Sequence, residues 1–290
     1  MRPPLILPLA AAVALVGSAC THGFLARPQV APASAWQDLG VPPGGAEHYP
    51  PQGMTLVGDR LVFTNHHNDT KSAMYLVDTA TMTIQASAEM PPEAVHTSGL
   101  GWDGQTLWAV DYKSLQLYAL DLEATFDQGQ AAVTGSWPTG LEGASALTVV
   151  ELDGVIYLAI SDFMRTARTY LIQRDRVSQL DPDHPLPDLA SVSYRNGTFS
   201  QGLTWDGRYL YETVNNRGVD RIEVYDIATA LRAQDSNQVL RVGSFEAPGR
   251  AGEDLATDGQ RLWTSDEASY RWYVLRDLPG TIALLEGAAD

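Results

Sequence analysis

Short apolar runs alternate with turn residues along most of the chain, and one phrase of this kind occurs five times. Each copy has a polar or small residue, an apolar pair, a tight turn with glycine, and a second run rich in β-branched and aromatic residues. The turn glycines stand at 58, 104, 154, 207 and 259, so successive copies are 46, 50, 53 and 52 residues apart. A self-similar period of this length is typical of propellers and solenoids.

Each copy predicts a β-hairpin, because Asp-Gly between two apolar runs favours a tight turn in which glycine takes a positive φ. A third run follows in each copy, as at residues 74–78, and in several copies a weaker fourth run, as at 83–86. Four strands in each unit are typical of one propeller blade. The sequence therefore predicts an all-β, five-bladed β-propeller with four-stranded antiparallel blades, interrupted by one or two helical turns at 227–233. The last blade takes its fourth strand either from residues 281–285 or from residues 36–48.

The N-terminus resembles a bacterial lipoprotein signal. A short basic start precedes about a dozen apolar residues, and small residues then precede Cys20, the only cysteine. The apolar run is too short to span a membrane as a stable helix. We expect a signal peptide over 1–19, a lipidated Cys20 with a tether over 20–48, and a propeller domain over 49–290. This organisation predicts an exported protein, anchored to a membrane through lipid alone and facing the periplasm or the cell surface.

Composition narrows the classes of partner. The formal net charge is −16, which argues against nucleic acid and against an anionic membrane surface, since both bind basic patches. An acidic surface favours cationic ligands and also keeps an exported protein soluble. The single cysteine excludes a disulfide within the chain, so stability depends on the apolar core.

Two columns of the repeat are candidates for a site. The first column begins the innermost strand of each blade, where polar side chains would surround one mouth of the central channel. Its members are Gln52, Ser98, Ser145, Gln201 and Glu253, with His96 beside Ser98. Aromatic residues near the same strands could line a shallow binding surface. These are Trp102, Tyr112, Trp205 and Tyr211.

The second column ends the second strand of each blade and carries Asp or Asn in every copy. Oxygen donors of this kind suit a hard cation such as calcium, so Asp111, Asp162, Asn215 and Asp266 are candidate metal ligands. The alternative is that each side chain caps its own turn by accepting from nearby backbone amides. His66 and His67, with His96 one blade further on, could instead bind a transition metal, although adjacent residues on an extended segment point to opposite sides.

One stretch resembles a known family. The phrases FSQGL at 199–203 and LYET at 210–213 are similar to the first-blade signature of bacterial and plant-type glutaminyl-peptide cyclotransferases, which are five-bladed propellers. The phrase GED at 252–254 is loosely similar to the opening of that family's next blade. The resemblance implies that Phe199, Gln201, Glu212 and Glu253 line a pocket that holds an N-terminal glutamine while a carboxylate transfers the proton. Here the phrase lies in the fourth repeat rather than the first.

Three functions follow from these observations. We favour a binding or scaffold protein of the cell envelope, because the repeat pattern is complete and contains no intact catalytic motif; its partner would be a small molecule, a peptide or an envelope protein. The first alternative is an aminoacyltransferase similar to glutaminyl-peptide cyclotransferase. The second is a lactonase or esterase-like hydrolase that depends on a divalent cation.

Overall fold

The structure, a computed structural model, describes residues 35–47, 49–67, 69–164, 167–215, 220–250 and 252–287. The predicted signal peptide and Cys20 lie outside these residues. Within them the chain forms five four-stranded antiparallel sheets, which confirms the predicted five-bladed propeller. In each blade the innermost strand comes first in the sequence, except that the fifth blade borrows its outermost strand from the N-terminal part of the chain.

The strands are numbered in chain order. Blade one contains β2 (Pro51–Val57), β3 (Arg60–His66), β4 (Ser72–Asp78) and β5 (Ile84–Glu89). Blade two contains β6 (Thr97–Trp102), β7 (Leu107–Asp111), β8 (Gln116–Asp121) and β9 (Ala132–Pro138). Blade three contains β10 (Ala144–Leu152), β11 (Val155–Asp162), β12 (Arg168–Gln173) and β13 (Val192–Arg195). Blade four contains β14 (Ser200–Trp205), β15 (Leu210–Asn215), β16 (Asp220–Asp226) and β17 (Leu240–Glu246). Blade five contains β18 (Gly252–Thr257), β19 (Leu262–Asp266), β20 (Arg271–Leu275) and β1 (Trp36–Gly40).

The ring is closed by β1, which pairs antiparallel with β20. The indole N–H of Trp36 donates to the carbonyl of Glu246 on blade four at 3.0 Å, so this strand also contacts the neighbouring blade. Residues 36–40 thus belong to the propeller rather than to the tether expected over 20–48. The other candidate for this strand, 281–285, lies within a helix instead.

In the described ranges four short α-helices lie between or after strands: α1 (Leu122–Gln128), α2 (Leu186–Leu189), α3 (Ala228–Ala233) and α4 (Leu278–Glu286). The third is the helical insertion predicted at 227–233. The fourth begins at a proline-containing turn that Asp277 caps by accepting from the N–H of Gly280. No helix in the described ranges is long and apolar enough to cross a membrane.

The core lies between adjacent blades, because each sheet presents apolar side chains on both faces and buries them against its neighbours. Between blades one and two, for example, Val62 and Met74 pack with Leu100 and Leu107, and all four are fully buried. Near the channel the inner strands approach closely. A Cβ on Gly99 would lie 2.3 Å from the backbone nitrogen of Leu147, so only glycine permits this spacing.

Candidate functional site

A cavity lies at one mouth of the central channel. All five residues of the first repeated column line it, one from the start of each innermost strand: Gln52, Ser98, Ser145, Gln201 and Glu253. The propeller brings them together because each stands at the same position of a blade. The cavity measures about 160 Å³, close to the ~150 Å³ engineered cavity known to hold benzene. It therefore suits a small molecule or one residue of a peptide.

An aromatic group forms one side of the entrance. Tyr112 and Phe163 both line the cavity, with their ring centroids 5.8 Å apart and their planes nearly perpendicular. Phe199 does not line the cavity. Its ring packs against the outer side of Phe163, with the two ring centroids 5.0 Å apart, and the residue is half exposed. Tyr112 and Phe199 were predicted from the sequence but Phe163 was not, although Phe163 directly follows Asp162 as Tyr112 directly follows Asp111.

The acidic side of the cavity consists of Glu253, Glu267 and Gln201. The side-chain amide of Gln201 donates to Oε1 of Glu253 at 2.7 Å. Burial raises the pKa of Glu253 well above its usual value, and the charge and hydrogen bond of Glu267 raise it further. This shift favours the protonated form of Glu253, which can donate a hydrogen bond to Glu267. Glu267 was not predicted, although it directly follows Asp266 at the position that Tyr112 holds after Asp111.

The opposite side of the cavity consists of His96 and its partners. Nδ1 of His96 lies 2.6 Å from Oδ1 of Asp69, and Nε2 lies 2.8 Å from Oε1 of Gln52. The amide of Gln52 is oriented by its own donation to the carbonyl of Pro51 at 2.8 Å. Both ring nitrogens thus face acceptor oxygens, an arrangement that the imidazolium form satisfies completely. Asp69 also forms an ion pair with Lys113 at 2.9 Å, so the contacts of His96 extend through Asp69 to the protein surface.

Three of these residues form a cluster that could hold a divalent cation. The candidate ligand atoms of His66, Asp69 and His96 all lie within 4.8 Å of one another. Imidazole and carboxylate together suit a transition metal such as zinc better than calcium, which takes oxygen ligands. The two imidazole rings are stacked, with centroids 4.1 Å apart, so one of them would have to turn before both could face one ion. Burial and the charge of His96 lower the pKa of His66 to about 4, so this ring is neutral at physiological pH.

The four residues predicted as a ring of metal ligands do not form a metal-binding cluster of this kind. They are Asp111, Asp162, Asn215 and Asp266. Of the described residues, none of their carboxylates belongs to a group of three close histidine, cysteine or acidic side chains. Asp111 instead accepts from the backbone N–H groups of Lys113 and Ser114 at 2.9 and 2.8 Å. Asp266 likewise accepts from Ser269. Asp162 behaves similarly, since it accepts from the N–H of Met164. The turn-capping alternative accounts for these three aspartates, whereas Asn215 donates to the carbonyl of Arg250 and to Asp220.

Glu212 lies behind the cavity rather than on it. It is completely buried and accepts from five side chains, which belong to blades three and four or to the segment between them. These donors are Ser161 at 2.8 Å, Thr169 at 2.8 Å, Tyr194 at 2.9 Å, Asn196 at 2.6 Å and Ser200 at 2.5 Å. Burial raises the pKa of Glu212, and the four hydroxyl donors act against that rise. Its contacts join two blades and do not reach a ligand in the cavity.

Three of the aromatic candidates also lie away from the cavity. Trp102 and Trp205 end the strands that Ser98 and Gln201 begin, about 13 Å further along. Both pack against the apolar core between blades. Tyr211 is fully buried and donates to Asp206 at 2.6 Å. These residues stabilise the opposite end of the propeller.

The channel below the cavity is closed by Asp254. Its Oδ2 accepts from the backbone N–H groups of Met54 and Leu100 at 2.8 and 3.3 Å, and its Oδ1 accepts from Leu203 and Leu255 at 2.9 Å each. One carboxylate thus bonds the innermost strands of four blades. Burial raises the pKa of Asp254, while the four N–H donors lower it. At the position of Asp254 the other four copies of the repeat have glycine or alanine (53, 99, 146 and 202). An aspartate in place of these small residues was the sequence signal that could have identified Asp254.

Comparison with known proteins supports the architecture. No protein-family model matches the sequence, and no curated protein matches it by sequence. The structure is similar to the crystal structure of Myxococcus xanthus glutaminyl cyclase, with a TM-score of 0.57 and 11% identity over 83% of this chain and 94% of that one. The chain shares the fold of that enzyme. At 11% identity the likeness extends to the fold and not to the activity.

Two further solved structures are less similar. One is Kuenenia stuttgartiensis hydrazine synthase, with a TM-score of 0.43 and 16% identity over 75% of this chain and 56% of that chain. The other is a nidogen/laminin complex, with a TM-score of 0.46 and 13% identity over 74% and 72% of the two chains. Neither similarity adds to the comparison with the glutaminyl cyclase.

Proposed function

We propose that this protein is an exported, lipid-anchored propeller that binds a small ligand carrying an amino group, such as the N-terminal residue of a peptide, in the cavity at the channel mouth. The observation that carries the proposal is the carboxyl pair of Glu253 and Glu267, which faces the cavity beside Gln201. An arriving ammonium group would face both carboxyl groups and gain charge-assisted hydrogen bonds from its N–H groups to their oxygens.

The surroundings of the carboxyl pair favour the same kind of ligand. The rings of Tyr112 and Phe163 lie at the entrance, where they can attract a cation through their π faces. The net charge of −16 raises the local concentration of cations around the molecule. The small volume limits the part of the ligand that enters to a few heavy atoms.

Calorimetric titration tests the binding proposal. The probe is L-glutaminamide, and N-acetyl-L-glutaminamide is its matched control without the amine. We expect the first to bind and the second not to bind. Glu267→Gln removes a charged acceptor and should raise the Kd about tenfold. The exposed Glu142→Gln provides a control variant with an unchanged Kd. Equal binding of both probes, or of neither, would contradict the proposal.

Export and anchoring are part of the proposal and need a separate test. The supporting observation is the apolar run followed by small residues and Cys20. In a bacterial host, we expect the full chain to be recovered with membranes and labelled by a radioactive fatty acid. Cys20→Ser should abolish the label. A labelled serine variant, or an unlabelled wild-type chain in the soluble fraction, would disprove the anchor.

A second candidate function is cyclisation of N-terminal glutamine. Its specific support is that Gln201 and Glu253, which come from the two phrases similar to the cyclotransferase signature, bond to each other in the cavity. The substrate amine would attack its own side-chain amide carbonyl. The carboxylic acid of Glu253 would protonate the amide nitrogen, which departs as ammonia, and the resulting carboxylate would take the proton that the attacking amine loses. Glu212, the third residue of the resemblance, lies behind the cavity and has no part in this scheme.

A coupled ammonia assay with glutaminyl-alanine tests this second function. A cyclase should release ammonia and lose at least about a hundredfold in rate in Glu253→Gln, because general acid catalysis contributes ~10²–10⁴-fold. Glu142→Gln should keep the wild-type rate. Binding of glutaminamide without any ammonia release would leave the protein as a binding protein.

The hydrolase alternative depends on a metal ion, and its support now rests on His66, Asp69 and His96. A transition metal bound there would link blades one and two and should raise the melting temperature of the metal-free protein. The test compares zinc with calcium, in wild type and in Asp69→Asn. A rise with zinc in the wild type alone would support the metal centre. No rise in any combination would remove the hydrolase from consideration.

A further inference from the structure

A second cavity lies on the outer wall of the propeller, between blades three and four. It measures about 360 Å³ and is lined by three arginines: Arg168, Arg195 and Arg241. Arg195 ends the outermost strand of blade three, and Arg241 lies on the outermost strand of blade four. None of the described residues lining this cavity is acidic. Three converging guanidinium groups are unusual in a chain with only 19 basic residues and a net charge of −16.

Two of these arginines are directly opposite each other. Arg168 and Arg195 are partners in the register of β12 and β13. Like charges opposite one another across a strand pair are destabilising. In the part of the chain that the structure describes, neither forms an ion pair with a carboxylate. The pair is therefore an uncompensated concentration of positive charge that an anion would stabilise.

The side chain of Arg168 is held in place before any ligand arrives. Its Nη2 donates to the hydroxyl of Ser193 at 3.0 Å and to the carbonyl of the same residue at 3.2 Å. An ordered guanidinium loses less conformational entropy when it binds an oxyanion. The arrangement is thus preorganised for a ligand rather than a loose group of surface side chains.

Arg241 has a different environment. It pairs with Glu223 at 2.8 Å, and the same carboxylate accepts from Tyr225. One carboxylate therefore balances one of the three guanidinium groups, which leaves about two positive charges at the cavity. Neutral polar side chains complete its wall, among them Ser193, Ser236 and Asn237. These groups can donate to the oxygens that the arginines do not reach.

We propose that this cavity binds a doubly charged oxyanion, namely the phosphate group of a monoester. The guanidinium fork matches the oxygens of such groups in a bidentate manner. The volume is larger than a bare inorganic anion needs, so part of the organic portion of the ester enters as well. The rings of Tyr194 and Tyr225, with centroids 4.6 Å apart, form an apolar wall for it. This site is separate from the channel mouth and does not depend on the function proposed for it.

Titration of the full 290-residue chain with inorganic phosphate tests the proposal, with sodium chloride of equal ionic strength as the reference. We expect one phosphate to bind per chain. The double variant Arg168→Gln/Arg195→Gln should raise the Kd at least about tenfold, since it removes two charge-assisted contacts. Arg232→Gln is the control, because Arg232 is exposed, pairs with Asp153 and lies outside the cavity. Its Kd should stay within about twofold of wild type. No phosphate heat beyond that of chloride, or equal loss in both variants, would overturn the proposal.

A thermal measurement makes the test independent of whether the double variant folds well. Without phosphate, the single variant Arg195→Gln should melt at a higher temperature than wild type, because it relieves the repulsion with Arg168. Phosphate should raise the melting temperature of wild type and have little effect on this variant. A variant that is less stable than wild type and responds to phosphate as wild type does would contradict the proposed site.

The source of the phosphate group is settled by comparing soluble probes. Glycerol 3-phosphate represents a soluble ester, and dihexanoyl phosphatidic acid, used below its critical micelle concentration, represents a lipid headgroup. Tighter binding of one probe than of inorganic phosphate identifies that source. Equal affinity for all three shows that the site recognises the phosphate group alone. Failure of all three to bind overturns the proposal.

Discussion

The side-chain amide of Gln201 on blade four donates to the carboxyl group of Glu253 on blade five at 2.7 Å, at the mouth of the channel. Because the amide can only donate through this nitrogen, the carboxyl oxygen it contacts acts as an acceptor. The remaining oxygen of Glu253 is the one that can carry a proton and donate it in a hydrogen bond to Glu267. The hydrogen bond from Gln201 thus fixes the orientation of the carboxyl group of Glu253, which is completely buried at the cavity.

This arrangement predicts a pH-dependent effect of Glu253→Gln. The pKa of Glu253 is raised in the folded protein, so folding is penalised once the pH exceeds the pKa of the unfolded chain, near ~4.3. Glutamine mimics the protonated acid and has no such penalty. We expect the variant to gain stability relative to wild type as the pH rises from about 5 to 8, by about 1.4 kcal/mol for each unit by which the pKa is raised. Urea denaturation at several pH values measures the difference, with Glu142→Gln as the control. A difference that does not change with pH would contradict the assignment.

Asp254 should be among the most sensitive positions for stability. Asp254→Ala leaves four buried backbone N–H groups without their acceptor, and each such loss costs about 1–3 kcal/mol. Because the strands can relax partly, we expect a total loss of about 3–5 kcal/mol in the free energy of unfolding. The exposed Asp188→Ala is the control and should change it by less than about 0.5 kcal/mol. A variant of Asp254 that unfolds at the wild-type denaturant concentration would show that these amides find other partners.

Substitution of Glu212 tests whether this residue stabilises the fold or takes part in ligand binding. Glu212→Gln replaces an acceptor oxygen by a donor amide within a group of five donors, so we expect a loss of about 2–3 kcal/mol in stability. Affinity for glutaminamide, measured at a temperature where the variant is folded, should stay within about twofold of wild type. Loss of affinity without loss of stability would place this carboxylate in the binding site after all.

The closing strand predicts a boundary for truncation. Removal of residues 1–34 should preserve the free energy of unfolding, while removal of 1–40 also deletes β1 and leaves β20 with an unpaired edge. The longer deletion removes the hydrogen bond from Trp36 to Glu246 and the ion pair between Asp38 and Arg271 as well. We expect it to lower the melting temperature by at least about 10 °C. Two truncated chains of equal stability would mean that β1 is dispensable.

The fold was largely predictable because its information is periodic. Gly104 and Gly207 both have positive φ, as the turn signal required, and the same holds for the other three turn glycines at 58, 154 and 259. A hairpin repeated five times determines the blades, since each copy can bury its apolar faces only against another copy. The closing strand was not determined, because β1 and the segment 281–285 are both short and apolar enough for an edge strand. Packing against blade four, which sequence alone does not show, selected β1.

The site was predictable only where it repeats. Positions that begin the inner strands, such as Ser145 and Gln201, follow from the blade pattern alone. Asp69 lies in a loop that differs between blades, and it reaches the site through its contact with His96. Phe163 and Glu267 directly follow the Asp/Asn column, as Tyr112 does, but their residue types differ from blade to blade, so the pattern alone does not assign them to the cavity. Glu212 shows the opposite case, because a residue within a recognisable phrase is turned away from the cavity by the two-residue alternation of its strand.

The pairing of β1 with β20 also has a consequence for the order of events during folding. These strands are separated by more than two hundred residues, so the last pairing forms between segments made at the two ends of the domain. Earlier blades can form their hairpins as the chain is synthesised, but the circle stays open until β20 is in place. Until then β1 has no partner strand, and the incomplete chain offers free strand edges to other chains. A nascent or stalled chain would therefore be the form most exposed to aggregation and to proteases, and the joining of the two ends would mark the moment at which that exposure stops.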